Sequence, residues 1–175
     1  MLNALFDFLF AVKEHWTKNK HYDLRFHRGG STLISLVSYI SPHRDPTHPF
    51  KVKRVENHNL HYLCSERLIP PDQPGAGWTF LWDKGYYRLL GRESMDEQLE
   101  KGHLRIEIFG ERLKGRYCLK QIDFRDQIWI WAKEEDEFAD RFLRFKDVRT
   151  PEKIMELETK GKSRNHSDEL ELFPV

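Results

Sequence analysis

The stretch His21-Tyr22-Asp23-Leu24-Arg25-Phe26, followed by Gly29-Gly30 and the run 33–40, decides how this chain is read. Polar and apolar residues alternate one by one, so an extended backbone sends His21, Asp23 and Arg25 to one side and Tyr22, Leu24 and Phe26 to the other. A period of two belongs to a strand with one face in a core. The glycine pair supplies a turn, and the apolar run after it reads as a further strand.

Outward from there, eight runs rich in β-branched and aromatic residues recur, at 33–40, 50–55, 60–63, 78–82, 86–90, 104–109, 116–121 and 128–132. They are separated by Gly29-Gly30, by 42–49, by 70–77, by Asp83-Lys84-Gly85, by 110–115 and by 123–126, all rich in the residues that turns require. So many short strands in one small unit indicate a mainly β, mostly antiparallel barrel or sandwich. Helices are few. Ser94 with Glu97 three residues on forms a capping box for a helix over 94–101, and Thr150-Pro151 opens one near 152–159. The tail after it is polar, so 1–145 is expected to form the barrel and 146–175 a C-terminal appendage. Gly161-Lys162-Ser163 looks like the end of a phosphate-binding loop, but Glu156 stands where that loop needs glycine.

With 175 residues, the chain predicts one domain with or without an appendage. Its 39% hydrophobic and 33% charged residues are too apolar for disorder and too evenly charged for a membrane protein. The longest apolar run, 33–40, is broken by Ser35 and Ser38 and falls far short of the roughly 20 residues that span a bilayer. The opening MLNALFDFLFAV has no basic residue ahead of its apolar run, carries Asp7 inside it, and is not expected to direct export. Cys64 and Cys118 lack a CxxC partner and read as thiols in a reducing, cytoplasmic setting. A net charge of +1 hides an asymmetry: residues 13–54 hold nine Lys/Arg against Glu14, Asp23 and Asp45. That basic segment suits a polyanion touching one face, or equally a solvated strand edge.

The chemistry concentrates in His15 to Arg25. Two imidazoles, His15 and His21, with the carboxylate of Asp23 would give a divalent ion three ligands and leave positions open. Arg25, one step further on the same face, has the planar fork that grips two phosphate oxygens. Nine histidines make chance pairs easy, and His-x-Asp on an exposed face is also an ordinary surface pair. In Glu56-Asn57-His58-Asn59-Leu60-His61-Tyr62, His58 and Tyr62 share a face if extended; His58 could protonate a leaving oxygen and the Tyr62 hydroxyl could fix a phosphate oxygen. Trp78, Trp82, Trp129 and Trp131 read as core, whereas Trp16, beside the first histidine, is a candidate for substrate contact. The stretch 70–77 reads as a strand connection rather than an active-site flap.

These blocks in this order, FAVKEH, HYDLR, ENHNLHY, IPPDQPGAGWTFLWDKGYY, FGERLKGRYCL and WIWAKEEDE, resemble the 3′-phosphoesterase domain of the bacterial end-joining DNA ligase D and its stand-alone relatives, over about residues 9 to 139. The resemblance implies a β-barrel of about eight strands with flanking helices. It implies a Mn²⁺ site made by His15, His21 and Asp23, with Co²⁺ or Zn²⁺ as alternatives, and a phosphate-handling and catalytic group of Arg25, His58 and Tyr62. The implied activity is healing of DNA or RNA-tipped 3′ ends, by removal of a terminal ribonucleoside and then of the 3′-phosphate, beside a separate ligase or polymerase of end joining. No membrane partner is implied.

The chain also departs from the pattern. Two phosphate contacts of the family, a Lys and an Arg, fall at Ile40 and Phe50, and Lys13 stands for a Gln, Asn57 for an Asp and Pro74 for a Tyr. Arg54, placed by alternation on the face of His58, is expected to replace one phosphate contact, and His43, Arg44 or His48 the other. With fourteen residues before His15, the family's polar N-terminal arm is expected to be absent, and weak or altered diesterase activity is expected with it. Two other readings stand beside this one: an iron, 2-oxoglutarate oxygenase using His21, Asp23 and His58, and a catalytically weak or inactive module that binds nucleic-acid ends.

Overall fold

The computed structural model describes residues 8–161. Nine antiparallel strands form one sheet: β1 (Phe8–Trp16), β2 (His21–His27), β3 (Thr32–Ser38), β4 (Phe50–Asn59), β5 (Arg67–Ile69), β6 (Gly77–Leu89), β7 (His103–Gly110), β8 (Lys114–Asp123) and β9 (Ile128–Lys133). They are ordered β1-β2-β3-β4-β9-β8-β7-β6-β5, and β1 also pairs with β6. That pairing closes an eight-stranded barrel, with the short β5 added beside the start of β6. The expected mainly β, antiparallel barrel is what forms, and among the described residues only α1 (Met95–Glu100) and α2 (Pro151–Gly161) are α-helical.

The period of two sorts the residues as read. Phe10, Val12, Tyr22, Leu24, Phe26, Ile34, Leu36 and Val52 fill the barrel with Trp82, Trp129 and Trp131. A second, smaller cluster of Ala11, Leu33, Leu63 and Cys64 lies on the outer side of the β1 and β3 wall. It packs the segment after β4 against that wall and so builds a covered site there. Ser94 and Glu97 make the capping box at the start of α1, and Thr150 Oγ1 accepts from Lys153 N in the first turn of α2.

Two local readings are corrected, and one strand is added. The run 60–63 is not a strand: Leu60–Tyr62 is a single 3-10 turn, capped by the Asn59 side chain, which accepts from His61 N. The runs 78–82 and 86–90 are one strand, because Asp83-Lys84-Gly85 does not turn. Asp83 is buried, and its carboxylate accepts from the backbone of Lys84, Glu111, Arg112 and Leu113, holding the β7–β8 hairpin. Phe8–Trp16 is a strand that alternation does not reveal, since Ala11, Val12, Lys13, Glu14 and His15 are all buried on one face or the other.

Gly77 begins β6 where it meets the end of β1. Its φ is 139°, and a Cβ there would lie 2.0 Å from Trp16 O. Gly77→Ala is therefore expected to destabilise the fold by about 2–4 kcal/mol through backbone strain and overpacking, read as a lower denaturant midpoint with unchanged m.

Candidate metal and phosphate site

β1 and β2 lie side by side with His15 opposite His21 and Lys13 opposite Asp23. Because the barrel takes Tyr22, Leu24 and Phe26, the outer face receives His21, Asp23 and Arg25, and β1 adds Lys13 and His15. From β3 and β4 come Ser35, Val37, Val55 and His58. The result is a cavity of about 340 Å³ lined by these ligating and basic groups together with Tyr62, Arg67 and Gly75.

The ligating atoms of His15, His21 and Asp23 all lie within 4.8 Å of one another, and this is the only such group of three among the described residues. His15 Nδ1 is 3.3 Å from Asp23 Oδ2, and His21 Nε2 is 3.8 Å from Asp23 Oδ1. The other nitrogen of each ring has a carbonyl partner: His15 Nε2 lies 2.7 Å from Gly75 O and His21 Nδ1 lies 3.0 Å from Asn19 O. A carbonyl only accepts, so those nitrogens carry the protons, and in the neutral rings the nitrogens facing Asp23 are bare. Bare nitrogen against carboxylate oxygen sets acceptor against acceptor. A metal ion between them would make the arrangement favourable, and two imidazoles with one carboxylate are compatible with a divalent transition metal. Burial pushes the Asp23 carboxyl up, but the neighbouring His15 imidazole and the charge of Arg25 outweigh it and hold the group well below the usual carboxylate range.

Next to these acceptors lie unsatisfied donors. Arg25 is buried, with Nη2 3.5 Å from Asp23 Oδ2 while Nε and Nη1 have no partner. Arg67, from β5, has its Nε buried without a partner and its guanidinium 4.8 Å from the centre of the Tyr62 ring. Lys13 is 3% exposed; burial, and then the charge of Arg25, lower its pKa to about 8. His58 Nδ1 lies 2.9 Å from Glu56 O and 3.0 Å from Ser35 Oγ, so Nε2 is the ring nitrogen left for the cavity. Burial, then Arg25, push its pKa below the ordinary value.

The candidates are thus placed unequally. His15, His21, Asp23, Arg25, His58 and Tyr62 all line one cavity, whereas Arg54 does not. In β3 and β4, between the pairs Ser35 with Val55 and Leu33 with His58, one residue of β3 opposes two of β4, a bulge that brings Val55 and His58 to the same face. Arg54 therefore lies on the face opposite His58, and lines another cavity with Arg28 and Trp129. The other expected substitutes are elsewhere too: His43 packs on Phe50, Arg44 on Phe145, and His48 on Asp45. Trp16 does not line the cavity. It lies between Lys20 and Arg149, with its Nε1 donating to Glu14. His58 is outside the ligating group, which leaves the oxygenase reading without its third ligand.

Sequence reasoning missed Lys13, Arg67 and Gly75 as parts of the site. Lys13 was legible, being two residues before His15 on the same strand face. Arg67 and the Gly75 carbonyl come from the segment folded over the wall, so no local spacing marks them. The stretch 70–77 connects β5 to β6 as expected, but it also orients His15.

Fold and site define a closed antiparallel β-barrel carrying a His₂Asp cluster, compatible with a metal, in a cationic cavity. A family model described as the DNA Ligase D 3′-phosphoesterase domain matches residues 13–121. The chain is 35% identical over 138 residues to the multifunctional non-homologous end joining protein LigD of Pseudomonas aeruginosa, covering 78% of this chain and 16% of that protein. It is 29% identical over 133 residues to the protein of the same name from Mycolicibacterium smegmatis, covering 73% and 17%. The chain belongs to the DNA ligase D 3′-phosphoesterase domain family, and it spans about a sixth of the length of these relatives. No helix among the described residues is long and apolar enough to cross a membrane.

Proposed function

We propose that the chain is a divalent-metal-dependent 3′-phosphoesterase of DNA repair, acting on DNA or RNA-tipped 3′ ends to remove a terminal 3′-phosphate and a 3′-terminal ribonucleoside. The observation that carries this reading is the meeting of three acceptors, on His15, His21 and Asp23, with buried guanidinium donors on Arg25 and Arg67 that have no partner. Acceptors suit a cation and donors suit an anion, and a metal ion with a phosphate supplies both. Mn²⁺ is the ion assigned, with Co²⁺ and Zn²⁺ fitting the same nitrogen and oxygen donors. His15, His21 and Asp23 would hold such an ion, which would supply Lewis acidity toward a phosphoryl oxygen and lower the pKa of a bound water. A separate ligase or polymerase of end joining is the partner this reading implies, given the printed names of the relatives.

The chain's own groups divide the remaining work. Arg25 has donors left on Nε and Nη1 for phosphate oxygens, while its contact with Asp23 through Nη2 fixes its plane. His58 is held through Nδ1, so Nε2 is the nitrogen from which the leaving oxygen would take its proton. Its lowered pKa keeps the ring neutral in the free protein, and a bound phosphate, by offsetting Arg25, favours the imidazolium needed to donate. Tyr62, its ring stacked under Arg67, directs a hydroxyl to a phosphate oxygen.

The test is a labelled primer bearing a 3′-phosphate or a single 3′-ribonucleotide, incubated with and without Mn²⁺, beside His15→Ala. Ion-dependent product that disappears in the variant supports the reading; binding without product in the native protein replaces it with the inert end-binding module. His58→Ala is expected to slow turnover by about 10²–10⁴-fold. Its Mn²⁺ affinity, measured by calorimetry, should stay unchanged, because His58 lies outside the ligating group.

A further inference from the structure

Lys13 is the least explained group in the cavity. It is 3% exposed, and its ammonium has two neutral acceptors, Tyr62 O at 3.4 Å and Ser65 Oγ at 3.2 Å, for three N–H groups. Among the described residues no carboxylate bonds it. Arg67 reaches the same cavity with a buried Nε that has no partner, and Arg25 does so with two such nitrogens. Three positive charges from β1, β2 and β5 therefore surround a space lined, among the described residues, by one carboxylate, Asp23, which the two imidazoles also face. Burying cations without matching anions is unfavourable unless a ligand supplies the missing charge.

We propose that Lys13 and Arg67 join Arg25 in a cationic cradle that selects a doubly charged terminal phosphomonoester over a singly charged phosphodiester. The inference rests on the phosphoesterase reading above and names its preferred substrate class. Near neutral pH a phosphomonoester carries close to two negative charges, its second pKa being about 6, and a diester carries one. All three cations line the cavity that would hold that extra charge, and Lys13 and Arg25 are withdrawn from bulk water, so it is discriminated. Lys13 adds charge without a fork, so it contributes to this selection more than to orientation.

The experiment measures binding of methyl phosphate and dimethyl phosphate to the metal-free protein by calorimetry or NMR. Steady-state hydrolysis of p-nitrophenyl phosphate and bis(p-nitrophenyl) phosphate with Mn²⁺ follows. The native protein is expected to bind the monoester about tenfold or more tightly than the diester, Lys13→Gln to lose most of that ratio, and Lys13→Arg to keep it. The kcat/KM ratio should move in the same direction. Arg67→Gln, at a half-buried position, should also lower the ratio and serves if Lys13→Gln does not fold. Equal affinity for the two ligands in the native protein, or an unchanged ratio in Lys13→Gln or Arg67→Gln, overturns the inference. Hydrolysis of both esters without discrimination leaves the phosphoesterase reading standing and removes the cradle. Selective binding with hydrolysis of neither ester does the reverse.

Discussion

Asp23→Asn is expected to reduce Mn²⁺-dependent release of 3′-phosphate by about 10³-fold or more, because it removes the one negative charge shared by both imidazoles. The amide fills the same volume but brings an N–H₂ donor toward a bare histidine nitrogen. The cluster can then satisfy itself by hydrogen bonding, and the need for a cation disappears. Ion binding gives a readout independent of turnover. At one hundred times Kd, a ligand adds about 2.7 kcal/mol of stability, which in a domain of this size raises Tm by about 5–11 °C. That Mn²⁺-induced rise should be present in the native protein and absent in Asp23→Asn. The substitution also leaves buried Arg25 without its carboxylate, so the metal-free variant should melt below the metal-free native protein; removing one member of a buried ion pair costs about 3–5 kcal/mol as an upper guide. A variant that keeps both the thermal response and the activity would remove Asp23 from the site.

Asp83→Ala should produce a large loss of stability at a position remote from the cavity. The Asp83 side chain accepts from four backbone N–H groups, Lys84 at 2.9 Å, Glu111 at 2.9 Å, Arg112 at 3.1 Å and Leu113 at 2.7 Å. Each buried donor left unsatisfied costs about 1–3 kcal/mol, and water reaching the more open ones reduces the sum, so about 4 kcal/mol is expected. Tm should fall by about 8–16 °C. Asp83→Asn should lose roughly half as much, since one oxygen remains an acceptor while the amide nitrogen confronts a backbone N–H. Urea titration separates the two variants, and an Asp83→Ala protein within 1 kcal/mol of native, about the smallest change such a comparison assigns, would deny the carboxylate this role. Mn²⁺ binding in the folded fraction should be unaffected.

Both results concern residues whose type was plain in the sequence and whose role was not. Asp83-Lys84-Gly85 has the composition of a turn, and only the arrival of the β7–β8 hairpin, whose N–H groups need an acceptor, makes it the middle of β6. The strand Phe8–Trp16 was hidden for a related reason. One of its faces lies in the barrel and the other under the segment that carries Tyr62 and Arg67, so polarity does not alternate along it. Arg54 shows the opposite failure, a correct period applied across a place where β4 holds an extra residue. A bulge leaves no mark in composition, and one residue is enough to turn a side chain from one face to the other.

The sequence by itself determined that this is a mainly β barrel, and that His15, His21, Asp23, Arg25, His58 and Tyr62 belong together. Alternation in 21–26 assigns faces locally, and the ordered blocks carry the family. Only the tertiary structure decided that Arg54 is excluded, that Lys13 and Arg67 are admitted, and that the Gly75 and Asn19 carbonyls set which histidine nitrogens face Asp23. Those outcomes depend on closure of the sheet and on the cover laid over its outer wall. Both bring together groups far apart in the chain, and local spacing contains no information about such meetings.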